Sequence, residues 1–154
     1  MADAQFILAR LTSALEAEAL LPAVFRHSGD DATITHALSE RELPAFEQPW
    51  LAAFAAVESV APLNSLSPAH RLVVDRIREL AYKSAFRATS HPDIAAYVSD
   101  DFDLIARAIV ARQDSPWLAS LLSAYLHGRF PVASSLVPAR ASLSIVASAL
   151  PTHS

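Results

Sequence analysis

Glycine occurs only twice in this chain of 154 residues, at positions 29 and 128, and that scarcity removes most sites that are built from backbone. Phosphate-cradling loops, dinucleotide fingerprints and nucleophile elbows each need several glycines at fixed spacing, where the chain turns tightly or lets a ligand approach the main chain. None of these can be written here. Gly128, followed by Pro131, reads as the left-handed end of a helix. Gly29 reads as the turn of the one loop with acid–base residues beside it, Ser28 to Asp31, flanked by His27 and His36. If a backbone-assisted site exists, residues 27 to 36 are its place; otherwise function has to be read from helix faces.

Charged residues make up 18% of the chain and hydrophobic residues 53%, against a usual charged fraction of about 25%. More of the surface than normal is therefore uncharged, which points to a protein partner or to self-association. The formal charge of −4 hides an asymmetry. Residues 1 to 67 hold three basic and nine acidic residues, whereas 68 to 154 hold nine basic and seven acidic ones, so the two halves are expected to attract one another or to present faces of opposite sign. The overall sign disfavours nucleic acid. With no cysteine, disulfides, thiolate zinc sites and a cysteine nucleophile are excluded, and a reducing compartment fits. The N-terminal residues lack the basic and apolar regions of a signal peptide, and the expected location is the cytoplasm. The apolar stretch from Trp117 to Leu126, ten residues, is half of the roughly 20 that a membrane-crossing helix needs, so no membrane segment is expected.

The chain is expected to fold as a single all-α domain over residues 1 to 154, an irregular bundle of about six helices. Asp3 caps a first helix to about Leu20, where Pro22 breaks it. Residues 26 to 37 offer loop chemistry and the best place for a short extended piece. Ser39 to Glu42 has the form of a capping box opening a short helix. Pro49 then opens a helix to Ala61 that reads as core. Ser67-Pro68 starts a helix to about Ala88, His91-Pro92-Asp93 another to about Arg112, and Ser115-Pro116 a third to His127 whose nearly all-apolar surface suits the centre of the bundle. Residues 132 to 154 carry one charge, Arg140; a last helix from Pro138 to Leu150 is favoured over a strand at Leu143 to Val146 or a weakly ordered tail.

Two helix faces are the candidate sites. Arg71, Asp75, Arg78, Tyr82 and Phe86 recur at helical spacing opposite an apolar stripe of His70, Val73, Ile77, Leu80, Ala81, Ser84 and Ala88. Arginine and tyrosine dominate protein-binding hot spots, so this face is a partner-binding candidate. The structural alternative packs Tyr82 and Phe86 under a neighbour and pairs Arg71 with Asp75. Asp100, Asp101 and Asp103 form the densest acidic cluster. It lacks the alternating ligands, central glycine and distal glutamate of a calcium loop, and reads as the acidic outer edge of a continuous helix and a second partner-binding surface.

The six histidines form no His-x-x-x-His or Glu-x-x-His spacing, so no local metal site is encoded. His27 with Asp30 or Asp31 is the only local acid–base pairing. No catalytic residue, cofactor or metal ligand is assigned. The expected function is a protein-interaction module, an adaptor or inhibitor such as a toxin-neutralising partner. The alternatives are a small-molecule binder or enzyme with an inter-helical pocket, and a DNA-binding regulator using the Pro68 helix.

Overall fold

A computed structural model describes residues 3–26, 30–138 and 141–151. It contains eight α-helices and no strand among the described residues: α1 Ala4–Glu16, α2 Leu21–Phe25, α3 Asp31–Arg41, α4 Pro44–Val60, α5 Pro68–Thr89, α6 Pro92–Ala111, α7 Pro116–Leu126 and α8 Leu143–Ser148. The fold is all-α, with more helices than the six expected. The turn at Ser28-Gly29 and the His27 pairing lie outside the described residues.

α6 is the axis of the bundle, packed against α1, α3, α4, α5 and α7. Its stripe of Ile94, Val98, Phe102, Ile105 and Ile109 is buried throughout, and so is a second row at Leu104 and Ala108. α5, joined to α6 by Ser90 and His91 alone, runs along it and buries Val74, Ile77, Leu80, Ala81, Ser84 and Ala85. The buried line of α5 is thus rotated slightly from the one expected, with Val74 and Ala85 inside where Val73 and Ala88 were placed. Burying such a Leu, Ile or Phe side chain is worth about 1.5–3 kcal/mol. The opposed halves meet in the expected sense: Glu16 pairs with Arg76, Glu18 with Arg87 and Glu58 with Arg107.

Glycine scarcity forces an unusual solution at the helix ends. Gly128, at φ 72°, closes α7 as expected, with Gly128 N–H donating to Tyr125 O and Arg129 N–H to Ala124 O. α1, α5 and α6 end on left-handed residues that are not glycine, Glu18, Ser90 and Arg112, at φ 55°, 59° and 55°. The same paired bonds close α1, from Ala19 to Ala14 and from Glu18 to Leu15. A side chain in this region costs roughly 1–2 kcal/mol that glycine does not. Glu18 offsets the cost by accepting from Ser84 at 2.6 Å and Arg87 at 2.7 Å, whereas Arg112 is exposed and forms no ion pair with the described residues. Arg112→Gly is therefore expected to stabilise the protein by roughly 0.5–1 kcal/mol, a rise in Tm of about 2–3 °C in a thermal melt; an unchanged or lowered Tm would contradict this.

Several local expectations are corrected. α1 stops at Glu16 because Glu18 turns left-handed, and Pro22 lies in the first turn of α2, where its missing N–H costs nothing. Residues 31–37 are helical rather than extended. Asp30 accepts from Thr33 N–H at 2.6 Å, a cap that sets α3 going through three β-branched residues while Ile34 goes inside. With that cap upstream, Ser39 cannot start a helix; its hydroxyl donates back to Thr35 O at 3.1 Å. α4 opens at Pro44 and carries Pro49 inside it, forfeiting one internal hydrogen bond.

Nor is α4 the core helix its composition suggested. Only Phe46 and Val57 are buried, while Leu51 and Val60 are among the most exposed large apolar residues, with Leu43 just before it. The last helix is shorter than Pro138 to Leu150. α8 begins where Ser142 accepts from Ile145 N–H, and it is tied to α1 by Arg10 donating to Leu150 O at 2.6 Å.

Candidate functional site

The α5 face is displayed largely as read. Ser67 caps α5 by accepting from His70 N–H at 3.1 Å, and from that register Arg71, Asp75, Tyr82 and Phe86 are exposed. Tyr82 and Phe86 do not pack under a neighbouring helix: their rings stack on each other on the open surface, 6.2 Å apart and within 5° of parallel. Arg71 and Asp75 belong to none of the ion pairs formed by the described residues, so the expected intrahelical pair is absent there. Arg78 leans across to α6, where its guanidinium lies 4.0 Å from both Asp100 and Asp103. The two candidate faces therefore meet at Arg78.

The acidic cluster divides into three different environments. Asp100 is exposed and Asp103 mostly buried, while Asp101 is 0% exposed, so it offers nothing to a partner. Asp101 sits three residues after Val98 and four before Ile105, which puts it on the buried stripe of α6 rather than on an outer edge. There its carboxylate collects four hydrogen bonds: two from Arg41 at 2.7 and 2.9 Å, one from Trp50 Nε1 at 3.0 Å and one from the Tyr125 hydroxyl at 2.6 Å. One carboxylate thereby ties α3, α4 and α7 to α6. Burial, followed by the Asp101 charge, pushes the Tyr125 phenol well above its ordinary range, so it stays a donor. Burial works to lower the Arg41 pKa, but the Asp101 carboxylate raises it. The Arg41 guanidinium also lies 4.0 Å from the Phe46 ring, 4.9 Å from Tyr97 and 5.1 Å from Phe130, within the range of cation–π attraction.

A second buried arginine lies further along α6. Arg107 donates to Glu58, lies 3.9 Å from Asp103 and sits 5.6 Å from the Phe54 ring. Trp50 and Phe54 stack at 5.7 Å between the two arginine systems. Sequence reasoning missed Arg41, Trp50, Arg107 and Tyr125. The available signal was a charged residue in register with an apolar stripe, as at Asp101, and again at Arg107 three residues after Leu104.

Buried Arg41 lines a cavity of about 320 Å³ between α3, α4 and α6. Phe46, Trp50 and Tyr97 provide aromatic walls, and Glu42, Glu47, Leu51 and Asp100 complete it. An adjoining hollow of about 270 Å³ shares Glu42, Tyr97 and Asp100 and adds Leu38, Asp93 and Ala96. The Tyr97 phenol is pushed up by burial and then by Glu42, with Asp93 and Glu47 adding to the effect against Arg41. Another cavity, about 370 Å³, lies among Phe25, Ile34, His36, Glu40, Arg129 and Phe130, with His36 3.5 Å from Glu40.

Of the other described histidines, two are locally engaged. His91 Nε2 lies 3.0 Å from Asp31 Oδ1. His127 Nδ1 lies 2.7 Å from Ser123 O in the last turn of α7. His70 is half-buried, with no side-chain hydrogen bond among the described residues, rather than a bonded core residue. Among the described residues no group of three or more His, Asp or Glu could hold a metal ion, and no helix is long and apolar enough to cross a membrane.

Residues 10–132 match the family model described as Immunity protein PIM1. That span is well over half of the chain and runs from within α1 to just beyond α7, so it includes both arginine systems and the cavity between α3, α4 and α6. None of the curated proteins matches the chain.

Proposed function

The chain belongs to the Immunity protein PIM1 family, and on that premise we propose that it neutralises a protein toxin by binding it stoichiometrically. The family match is the observation that carries this reading. The surface is compatible with it: Leu43, Leu51, Val60, Leu72, Tyr82 and Phe86 are large apolar side chains left exposed on or beside α4 and α5. The proposed contact surface comprises the α5 face of Arg71, Asp75, Arg78, Tyr82 and Phe86 together with Asp100. Asp101 holds the helices beneath it together, and Asp103 lies at its inner margin.

The test is titration of purified chain against a toxin whose gene lies beside its own. Inhibition is expected to reach completion near one chain per toxin, with the two proteins eluting as one complex and the toxin recovered chemically intact. Complete inhibition at a small fraction of that ratio, or a covalently altered toxin, would mean that the chain is an enzyme. Absence of both inhibition and complex would overturn the reading altogether.

A further inference from the structure

We propose that the cavity between α3, α4 and α6 receives a lysine or arginine side chain from a basic segment of the partner. This rests on the toxin-binding reading and names the chemistry it would use. The first argument is charge. Glu42, Glu47, Asp93 and Asp100 are exposed carboxylates on the cavity and its adjoining hollow. The nearby cations are already engaged: Arg41 is held by both oxygens of buried Asp101, and Arg78 is shared between Asp100 and Asp103. The surface is thus left with a surplus of negative charge facing solvent. Such a surface attracts a cation and repels an anionic partner.

The second argument is the lining of the cavity. The walls fit the same guest. Trp50 and Tyr97 offer aromatic surface that attracts ammonium and guanidinium groups, and Tyr97, with buried Phe46, already flanks one guanidinium, that of Arg41. A volume of about 320 Å³ is at the small end of ligand sites, suited to one long side chain rather than to a large ligand. Leu51, 46% exposed, lines it with apolar surface that would exclude water from the contact.

Three variants test this in binding to the toxin. Glu42→Lys/Glu47→Lys is expected to weaken affinity about 100-fold or more and to flatten its salt dependence. Tyr97→Leu is expected to weaken it about 10-fold. The matched control Glu16→Lys/Asp114→Lys, two exposed carboxylates that lie neither on the cavity nor on the α5 face, is expected to change it less than about 3-fold. All four carboxylates reversed are exposed, and unchanged melting curves confirm that each variant is folded. A lysine- or arginine-to-glutamate scan of the toxin should then find one position that loses about 10-fold against the native chain and nothing further against Glu42→Lys/Glu47→Lys, the non-additivity of groups in contact. If the native chain binds tightly but the cavity variants match the control, or no toxin position is coupled to them, the pocket assignment is overturned and toxin binding stands. If the native chain does not bind, the functional reading itself fails.

Discussion

Asp101→Asn is expected to destabilise the protein by about 3–5 kcal/mol, read as a fall in the urea midpoint at constant slope. The change preserves volume and leaves no cavity, so the loss reports charge and hydrogen bonding alone. Asp101 accepts from Arg41 through both oxygens, from Trp50 and from Tyr125. An asparagine keeps one acceptor oxygen and turns a donating amide toward groups that are themselves donors. Tyr125 can rotate its hydroxyl to accept. Arg41 cannot adapt, and its guanidinium, with a side chain 2% exposed, would remain charged without a counter-ion. Removing both ends of the pair should behave differently. Arg41→Met/Asp101→Leu is expected to recover most of the loss, because desolvating an ion pair cancels much of its attraction. A single-mutant cost below about 1 kcal/mol would show that the network contributes little. Since folded domains are stable by only about 5–15 kcal/mol, the expected loss is a large share of the total.

Why α5, α6 and α7 were legible in the sequence while this network was not follows from the range of the forces involved. Ser67-Pro68 and Ser115-Pro116 act within one turn. The serine accepts from a backbone N–H three residues on, so each start could be read from four residues. The α6 stripe is equally local, four successive spacings of three or four residues. Asp101 differs from Asp100 and Asp103 only in its register on that stripe, and the arginine that makes its burial tolerable is sixty positions away, inside a stretch, Ser39 to Glu42, that looks like a helix start. α4 misled in the opposite direction. Its alanines, Leu51 and Val60 have the composition of a core helix, yet hydrophobic composition cannot say whether an apolar face is covered by the same chain or left for another. Of the candidate site, the exposure of the α5 face could be read from spacing; the acidic cavity could not, because Glu42, Glu47, Asp93 and Asp100 converge only when α3, α4 and α6 pack.

Arg107→Met is expected to loosen α4 selectively and to cost about 2–4 kcal/mol. α4 is weakly anchored for its length: two buried side chains, an internal proline, and polar ties to α6 at Trp50 and Glu58. Methionine fills much of the arginine's space, so a cavity does not dominate the result. What is lost is the tie to Glu58 and the cation beside Asp103. Glu58 can turn to water. Asp103, with a side chain 15% exposed and Oδ1 lacking a hydrogen bond, cannot do so as readily. Burial already raises its pKa, with Arg78 and Arg107 holding it down, and without Arg107 it should rise further. A carboxyl with a raised folded-state pKa destabilises the fold as pH climbs above the unfolded value of 3.8, so the deficit should shrink as pH falls toward that value and widen toward neutrality. Hydrogen exchange should show amides of residues 50 to 60 losing more protection than those of α6. Because Glu47 and Leu51 lie on the same helix, toxin affinity is expected to fall although Arg107 touches no partner. Equal loss of protection in α4 and α6 would mean that Arg107 supports the whole bundle, and the separate hold on α4 would have to be abandoned.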